Sequence, residues 1–226
     1  MAKPKIHLQT NQLIANLDRI THPTHIGDTT ALHLLMKQPI QTYEDSSRLP
    51  RLKKFRFQLL HRWLVNSFMP CKVADIGGGK GLAAYLLRQS GWDVTVIDPV
   101  MQPLPVKYKD VATQTRLKIG ARETVPLIQL AFTVDLAQGF DLLVAMHAHG
   151  CNVQIIDAAE KYGCGFAIFP CCIINEPFVP SPGVHWLESL AEYAIAKGLL
   201  VKTVRLNFTG QNIGLYTPGR CELVSE

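Results

Sequence analysis

Between residues 71 and 219, short apolar runs alternate with helix-length amphipathic stretches, and this alternation restricts the chain to an α/β architecture. The runs are CKVADIG, WDVTVID, TRLKIG, FDLLVAMHA, GFAIFP, LVKTVRLNF and NIGLYTPG. The stretches between them include GLAAYLLRQSG, ETVPLIQLAF, CNVQIIDAAEKYG and VHWLESLAEYAIAKG. A strand, a helix and a second strand in succession lay the two strands parallel, with helices covering both faces of the sheet. The last two runs are joined only by Thr209, Gly210 and Gln211, too short a link for a crossover, so they form an antiparallel hairpin. The expectation is a mostly parallel seven-stranded sheet closed by that hairpin.

The chain has 226 residues, of which 47% are hydrophobic and 18% charged, enough apolar surface for one sizeable core and incompatible with wholesale disorder. Residues 1 to about 47 are polar and interrupted by His22, Pro23, His25, Gly27 and Pro39, so short helices and loops are predicted there. From Ser47 the text reads as a helix, with Ser47 near the cap and Pro50 in the first turn. Leu52, Phe55, Leu59, Leu60, Trp63 and Leu64 supply its buried face, and it ends at Met69 and Pro70. Two parts follow: an N-terminal helical extension over 1–69 and a larger α/β domain over 70–226. The segment MAKPKIHLQTNQ has no apolar signal region, and no apolar stretch approaches a membrane span, so neither export nor the bilayer is expected. Of six cysteines, Cys71, Cys151, Cys164, Cys171, Cys172 and Cys221, two are adjacent and all lie in or beside apolar runs. That usage reads as reduced thiols in a cytoplasmic protein.

The sharpest local signal is VADIGGGKGLAAYLL, where a strand ends near Asp75, the glycines Gly77, Gly78, Gly79 and Gly81 turn the chain, and a helix begins. Such a turn lets a ligand approach the backbone closely and presents helix N-terminal amides to it. The dinucleotide pattern G-x-G-x-x-G fails because Leu82 stands at its last position, and a P-loop fails because Lys80 is followed by Gly81. The next strand-like run ends in Asp98, whose carboxylate can accept both hydroxyls of a ribose.

Together these residues resemble the class I S-adenosylmethionine-dependent methyltransferases, whose first motif is D/E-x-G-x-G-x-G and whose second strand ends in an acid. The matching positions are Asp75, Gly77, Gly79, Gly81 and Asp98, within a resemblance covering roughly residues 70 to 218. It implies a Rossmann-like methyltransferase fold with an antiparallel last strand and S-adenosyl-L-methionine as cofactor. Among further cofactor candidates, Gly78 belongs to the same turn, Asp135 is either a contact to the adenine amine or a solvated loop carboxylate, and His147 either lines the methyl site or is a structural histidine bonded to backbone. LLVAMHAHGC and AIFPCC are similar to the H-x-C-G and P-C-C segments of one branch, which includes tRNA ribose 2′-O-methyltransferases. His149 stands where that branch has cysteine.

Methyl transfer needs nucleophile and methyl held in line, with a base if the acceptor is a hydroxyl. His147 is the first candidate for that base or for lining the methyl site, and His149 the second. Cys171 and Cys172 have three readings: small residues shaping an acceptor pocket, a nucleophile, or metal ligands. Zinc held by His147, His149, Cys151, Cys164, Cys171 and Cys172 is chemically possible, but the spacings match no standard finger or ribbon and no metal is expected.

The net charge of +5 is modest, but Arg48, Arg51, Lys53, Lys54, Arg56 and Arg62 form a run with no acid among them, suited to RNA phosphates, with Phe57 or His61 available for stacking. Methyl transfer to RNA, tRNA or rRNA, is therefore the first functional expectation. A small-molecule O- or N-methyltransferase, with the N-terminal segment as a lid, is the second. A catalytically silent RNA- or protein-binding module is the third, and its expected sign, a damaged cofactor turn, is absent from Asp75, Gly77, Gly79, Gly81 and Asp98.

Overall fold

The computed structural model describes residues 4–22, 41–43 and 53–224. The strands are β1 (Gln41–Tyr43), β2 (Lys72–Ile76), β3 (Asp93–Ile97), β4 (Lys107–Lys109), β5 (Arg116–Lys118), β6 (Leu127–Ile128), β7 (Leu142–Met146), β8 (Gly165–Phe169), β9 (Lys202–Leu206) and β10 (Ile213–Thr217). The helices are α1 (Pro4–Thr21), α2 (Arg56–Ser67), α3 (Leu82–Gln89), α4 (Asn152–Tyr162) and α5 (Trp186–Ala196). The main sheet runs β1-β9-β10-β8-β7-β2-β3-β6, and β10 alone is antiparallel to its neighbours. This is the expected Rossmann-like, mostly parallel sheet with its final hairpin, and β1 adds an eighth strand beside β9.

Two apolar clusters cover the sheet, one on each face. Alternate residues of β7 divide between them: Leu143 and Ala145 join the cluster that includes Ile155 and Ile156 of α4 and Leu190 of α5, while Leu142, Val144 and Met146 join the one that includes Leu59 and Trp63 of α2 and Leu87 of α3. The N-terminal helix belongs to the first layer, since Leu17 is fully buried and Asn16 Nδ2 donates to Glu188 Oε1 of α5 at 2.8 Å.

A 3-10 turn, Lys53–Phe55, leads into α2, and Gln58, Leu59, Leu60, Trp63 and Leu64 form its buried face. The predicted start of this helix at Ser47 and Pro50, and Leu52 on its face, lie outside the described residues. The helix stops at Phe68, whose backbone is extended two residues ahead of Pro70. Trp63 then packs edge-on against Phe68, Phe169 and Tyr216 at ring-centroid distances of 5.8, 6.0 and 5.1 Å, tying α2 to β8 and β10.

Three expectations are corrected. TRLKIG is not a strand of the main sheet: Arg116–Lys118 pairs antiparallel with Lys107–Lys109 in a separate ribbon. The third parallel strand, Leu127–Ile128, comes instead from ETVPLIQLAF, predicted to be helical. Pro126 explains this, because it disfavours helical backbone at Val125 while its carbonyl accepts the Val96 amide at 2.8 Å. The cysteines are also not all reduced thiols: Cys71 and Cys221, 150 positions apart, form a disulfide, whereas Cys151, Cys164, Cys171 and Cys172 are free. The C-terminal segment returns beside the end of α2, with Met69 N donating to Glu222 O and Val224 N to Ser67 O, a proximity no linear spacing reveals. Among the described residues no helix is long and apolar enough to cross a membrane.

Trp63→Ala removes a fully buried ring at the junction of α2, β8 and β10. We expect a loss of about 3–5 kcal/mol in urea-unfolding stability, and a loss below about 1 kcal/mol would show that this junction is not a keystone of the core.

Candidate active site

In an open α/β sheet, ligands lie beyond the carboxyl ends of the strands where the strand order reverses. Here that point falls between β2 and β7, because the chain proceeds from β2 to β3 and β6 on one side and from β7 to β8 on the other. The glycine turn leaves β2 at this point. Gly77, Gly79 and Gly81 have φ of +62°, +56° and +70°, in the left-handed region that side chains resist. A Cβ on Gly77 would also stand 2.7 Å from that of Ala148, so the close approach of the β2 and β7 loops requires glycine there.

Two carboxylates hold the turn. Asp98 follows β3 and accepts the Gly79 amide at 2.9 Å through Oδ2 and the Val100 amide at 2.8 Å through Oδ1. These bonds use half of its roughly four lone-pair sites and leave two acceptor positions. Asp75 is 2% exposed, and its Oδ2 has no hydrogen-bond partner. A Cβ on Gly78 would come within 2.6 Å of that oxygen, so the carboxyl lies directly beneath the turn. Burial pushes the Asp75 pKa up to about 7, opposed by the Ala84 amide and assisted by the negative charge of Asp98.

The opposite wall is built by β7 and β8. Their register pairs Met146 with Phe169 and continues with His147 N donating to Phe169 O, so the segments beyond, His147–Gly150 and Pro170–Cys172, emerge side by side. His147 has φ of +59°, an uncommon backbone for a residue with a side chain. Its Nε2 lies 2.8 Å from the Gln211 carbonyl; a carbonyl only accepts, so Nε2 carries the proton and a neutral ring keeps its Nδ1 lone pair. Burial is the largest influence lowering the His147 pKa; the Gln211 bond opposes it, and Arg56, Lys53 and His149 add to it. His149 is exposed, and its imidazole stands beside the half-buried thiols of Cys171 and Cys172.

Asp75, the glycines and Asp98 thus meet at one rim, with His147, His149, Cys171 and Cys172 on its β7–β8 side. Asp135 is not brought there. Its side chain is 79% exposed and pairs with Lys161 Nζ at 2.7 Å and Tyr162 Oη at 2.9 Å, at the C-terminal end of α4. Because α4 runs back along the sheet, that end lies near the strands' amino termini, away from the turn. The basic run also divides. Lys53 and Arg56 act electrostatically on His147, whereas Arg62 acts on His61 and Asp110; Arg48 and Arg51 lie outside the described residues. Lys54 is exposed, with its ammonium 5.2 Å from the Phe55 ring. Of the two stacking candidates, Phe57 has Arg56 over its ring at 4.2 Å, and His61 is half-buried with its Nε2 2.8 Å from Ser90 Oγ.

Two parts of the site had no sequence signal. The Val100 amide and the exposed Val100 and Met101 side chains border Asp98, and only their position after the acid could have marked them. Gln58, buried on α2, clamps the β4–β5 ribbon by donating to Lys109 O at 2.8 Å and accepting Val111 N at 2.7 Å.

The Asp75 pKa has a direct consequence for stability. An acid whose pKa rises on folding binds more protons in the native state, so folding stability falls as pH rises from about 3.8 towards 7. Asp75→Asn removes this dependence, and we expect its melting temperature to decline less than that of the parent between pH 4 and 7. Parallel profiles would show that the carboxyl is not held protonated.

No protein-family model matches the chain, and none of the curated proteins does. Similar solved structures include the tRNA (uracil-54, C5)-methyltransferase of Pyrococcus abyssi with S-adenosyl-L-homocysteine, at 11% identity and TM-score 0.38, covering 75% of this chain and 38% of that one. A SAM-dependent methyltransferase from Agrobacterium tumefaciens is similar at 11% identity and TM-score 0.42, over 71% of this chain and 59% of the other. A TehB-like SAM-dependent methyltransferase from Corynebacterium glutamicum is similar at 15% identity and TM-score 0.38, over 71% and 84%. The chain thus spans less than two thirds of the length of the first two.

Proposed function

We propose that this chain is an S-adenosylmethionine-dependent methyltransferase acting on RNA. The observation that carries the reading is the pair of carboxylates at the glycine turn, Asp75 beneath it and Asp98 bonded to its Gly79 amide. A pyrophosphate seated here would meet the Asp98 carboxylate, whereas a sulfonium nucleoside is cationic and its ribose offers two donors to the remaining acceptor sites of Asp98. Asp75, Gly77, Gly78, Gly79, Gly81 and Asp98 are assigned to the cofactor.

When bound, S-adenosylmethionine supplies a methyl group activated by a positive sulfur. His147 then supports methylation of a hydroxyl: with its proton on Nε2 and its pKa lowered, the ring is neutral near pH 7 and can take the acceptor proton on Nδ1. A ribose 2′-hydroxyl of tRNA fits that chemistry.

Two cationic groups favour RNA as acceptor. Lys53 and Arg56 both act electrostatically on His147. On the β4–β5 ribbon, Lys107 faces Lys118 and Lys109 faces Arg116 across the strands, placing four cations on one face. Like charges directly opposite are destabilising, and no ion pair with these four exists among the described residues. Phosphates would remove that repulsion. A small-molecule acceptor is favoured by one feature, a cleft beside the same rim lined by Leu13, Pro170, Cys171, His185, Trp186 and Ile213.

Incubation with radiolabelled methyl donor, total cellular RNA and a metabolite extract tests the reading. We expect labelled RNA; label confined to small molecules selects the second acceptor class, and no label overturns the enzyme assignment. Asp98→Ala should weaken cofactor binding about 10- to 100-fold by calorimetry, through two lost hydrogen bonds. His147→Ala should lower the single-turnover rate more than cofactor affinity, and an unchanged rate removes His147 from the chemistry. Replacing Lys107, Lys109, Arg116 and Lys118 by Ala should lower RNA affinity and reduce the slope of log affinity against log salt by about one per lost phosphate contact; an unaltered slope excludes the ribbon from the interface.

A further inference from the structure

We propose that His149, Cys171 and Cys172 form a three-ligand site for a zinc ion at the rim, independent of the methyl-transfer reading. One ligand atom from each residue lies within 4.8 Å of the others. The sequence disguises this arrangement, because adjacent cysteines and a histidine 22 positions before Cys171 match no zinc motif. The β7–β8 pairing creates it: Met146 stands opposite Phe169, and three residues beyond each are His149 and Cys172.

The sulfur geometry fits. The Cys171 and Cys172 Sγ atoms are 3.8 Å apart, and two thiolates at about 2.3 Å from a tetrahedral zinc lie about 3.8 Å apart. No ligand separation exceeds 4.8 Å, at most about an ångström beyond the zinc-bound value and within reach of rotation of the exposed His149 side chain. The loops carrying the ligands are well anchored. Glu176 accepts the Asn152 and Val153 amides and the Asn152 side chain at 3.0, 3.2 and 2.6 Å, and Gly150 packs so closely on Asn175 that a Cβ would stand 2.8 Å from it.

The charge balances as well. Each thiol loses its proton to solvent on binding, and two thiolates with a neutral imidazole offset the two positive charges of zinc. No oxidant or reductant is involved. Three protein ligands leave a fourth position for water or an acceptor atom, as in catalytic zinc sites, and Cys171 and Cys172 line the cleft that also holds Pro170, His185 and Gln211.

The test uses the full chain, reduced with a phosphine and titrated with cobalt(II) and then zinc. We expect one equivalent of cobalt to give thiolate-to-metal charge-transfer absorption that zinc abolishes, with protection of Cys171 and Cys172 from alkylation. Cys171→Ser and Cys172→Ser should each lower zinc affinity about 100-fold or more, His149→Ala should lower it by about 10-fold or more, and His149→Cys should retain binding. Cys164→Ala, a buried thiol outside the cluster, should bind as the parent does. Absence of the charge-transfer band, or the same band and affinity in the Cys171→Ser/Cys172→Ser double variant, overturns the site.

Discussion

The pairing of β2 with β3 on one side and β7 on the other governs the rest of the molecule. Asp75 lies opposite Val96 in one register and Val144 in the other, so a carboxyl is held at the centre of a parallel ladder, with its pKa raised to about 7. Burying that group without a partner for Oδ2 opposes folding, and the apolar layers on both faces of the sheet offset the cost. The cost falls where the strand order reverses, which is also where the backbone opens into the glycine turn. Buried polar atoms without a partner also occur on Arg56, Trp63, Gln154, Trp186 and Thr203, but Asp75 is the acid among them and it lies beneath the glycine turn.

The rim has two electrostatic sides. The β2–β3 side carries Asp98 and the buried Asp75, whose negative charge burial disfavours, while Lys53 and Arg56 act electrostatically on His147 on the β7–β8 side. The φ of +59° at His147 and its bond to the Gln211 carbonyl fix the imidazole on the β7–β8 side. This joins the antiparallel hairpin to the site, since Gln211 belongs to the turn between β9 and β10.

The N-terminal residues are structural partners of the α/β layers. Leu17 is as buried as the sheet residues, β1 extends the ladder beyond β9, and α2 is pinned through Trp63 to β8 and β10. Because α2 is anchored in this way, Gln58 can fix the cationic ribbon, and the turn that precedes it can set Lys53 beside the rim. Position along the chain thus says little about distance from the site.

The sequence by itself determined the alternation of strands and helices, the antiparallel close, the glycine turn and the two acids, because these rest on local rules: periodicity, the φ range open to glycine, and the length of a link. Pattern alone misplaced the third strand, since TRLKIG has the composition of a strand but found its partner in Lys107–Lys109, while Pro126 turned an expected helix into Leu127–Ile128. Tertiary structure alone decided that Asp135 lies with Lys161 at the far edge, that Cys71 meets Cys221, and that His149 stands beside Cys171 and Cys172. Those relations depend on register between strands distant in sequence, and hydrophobic pattern specifies which face a residue occupies but not which loop it will meet.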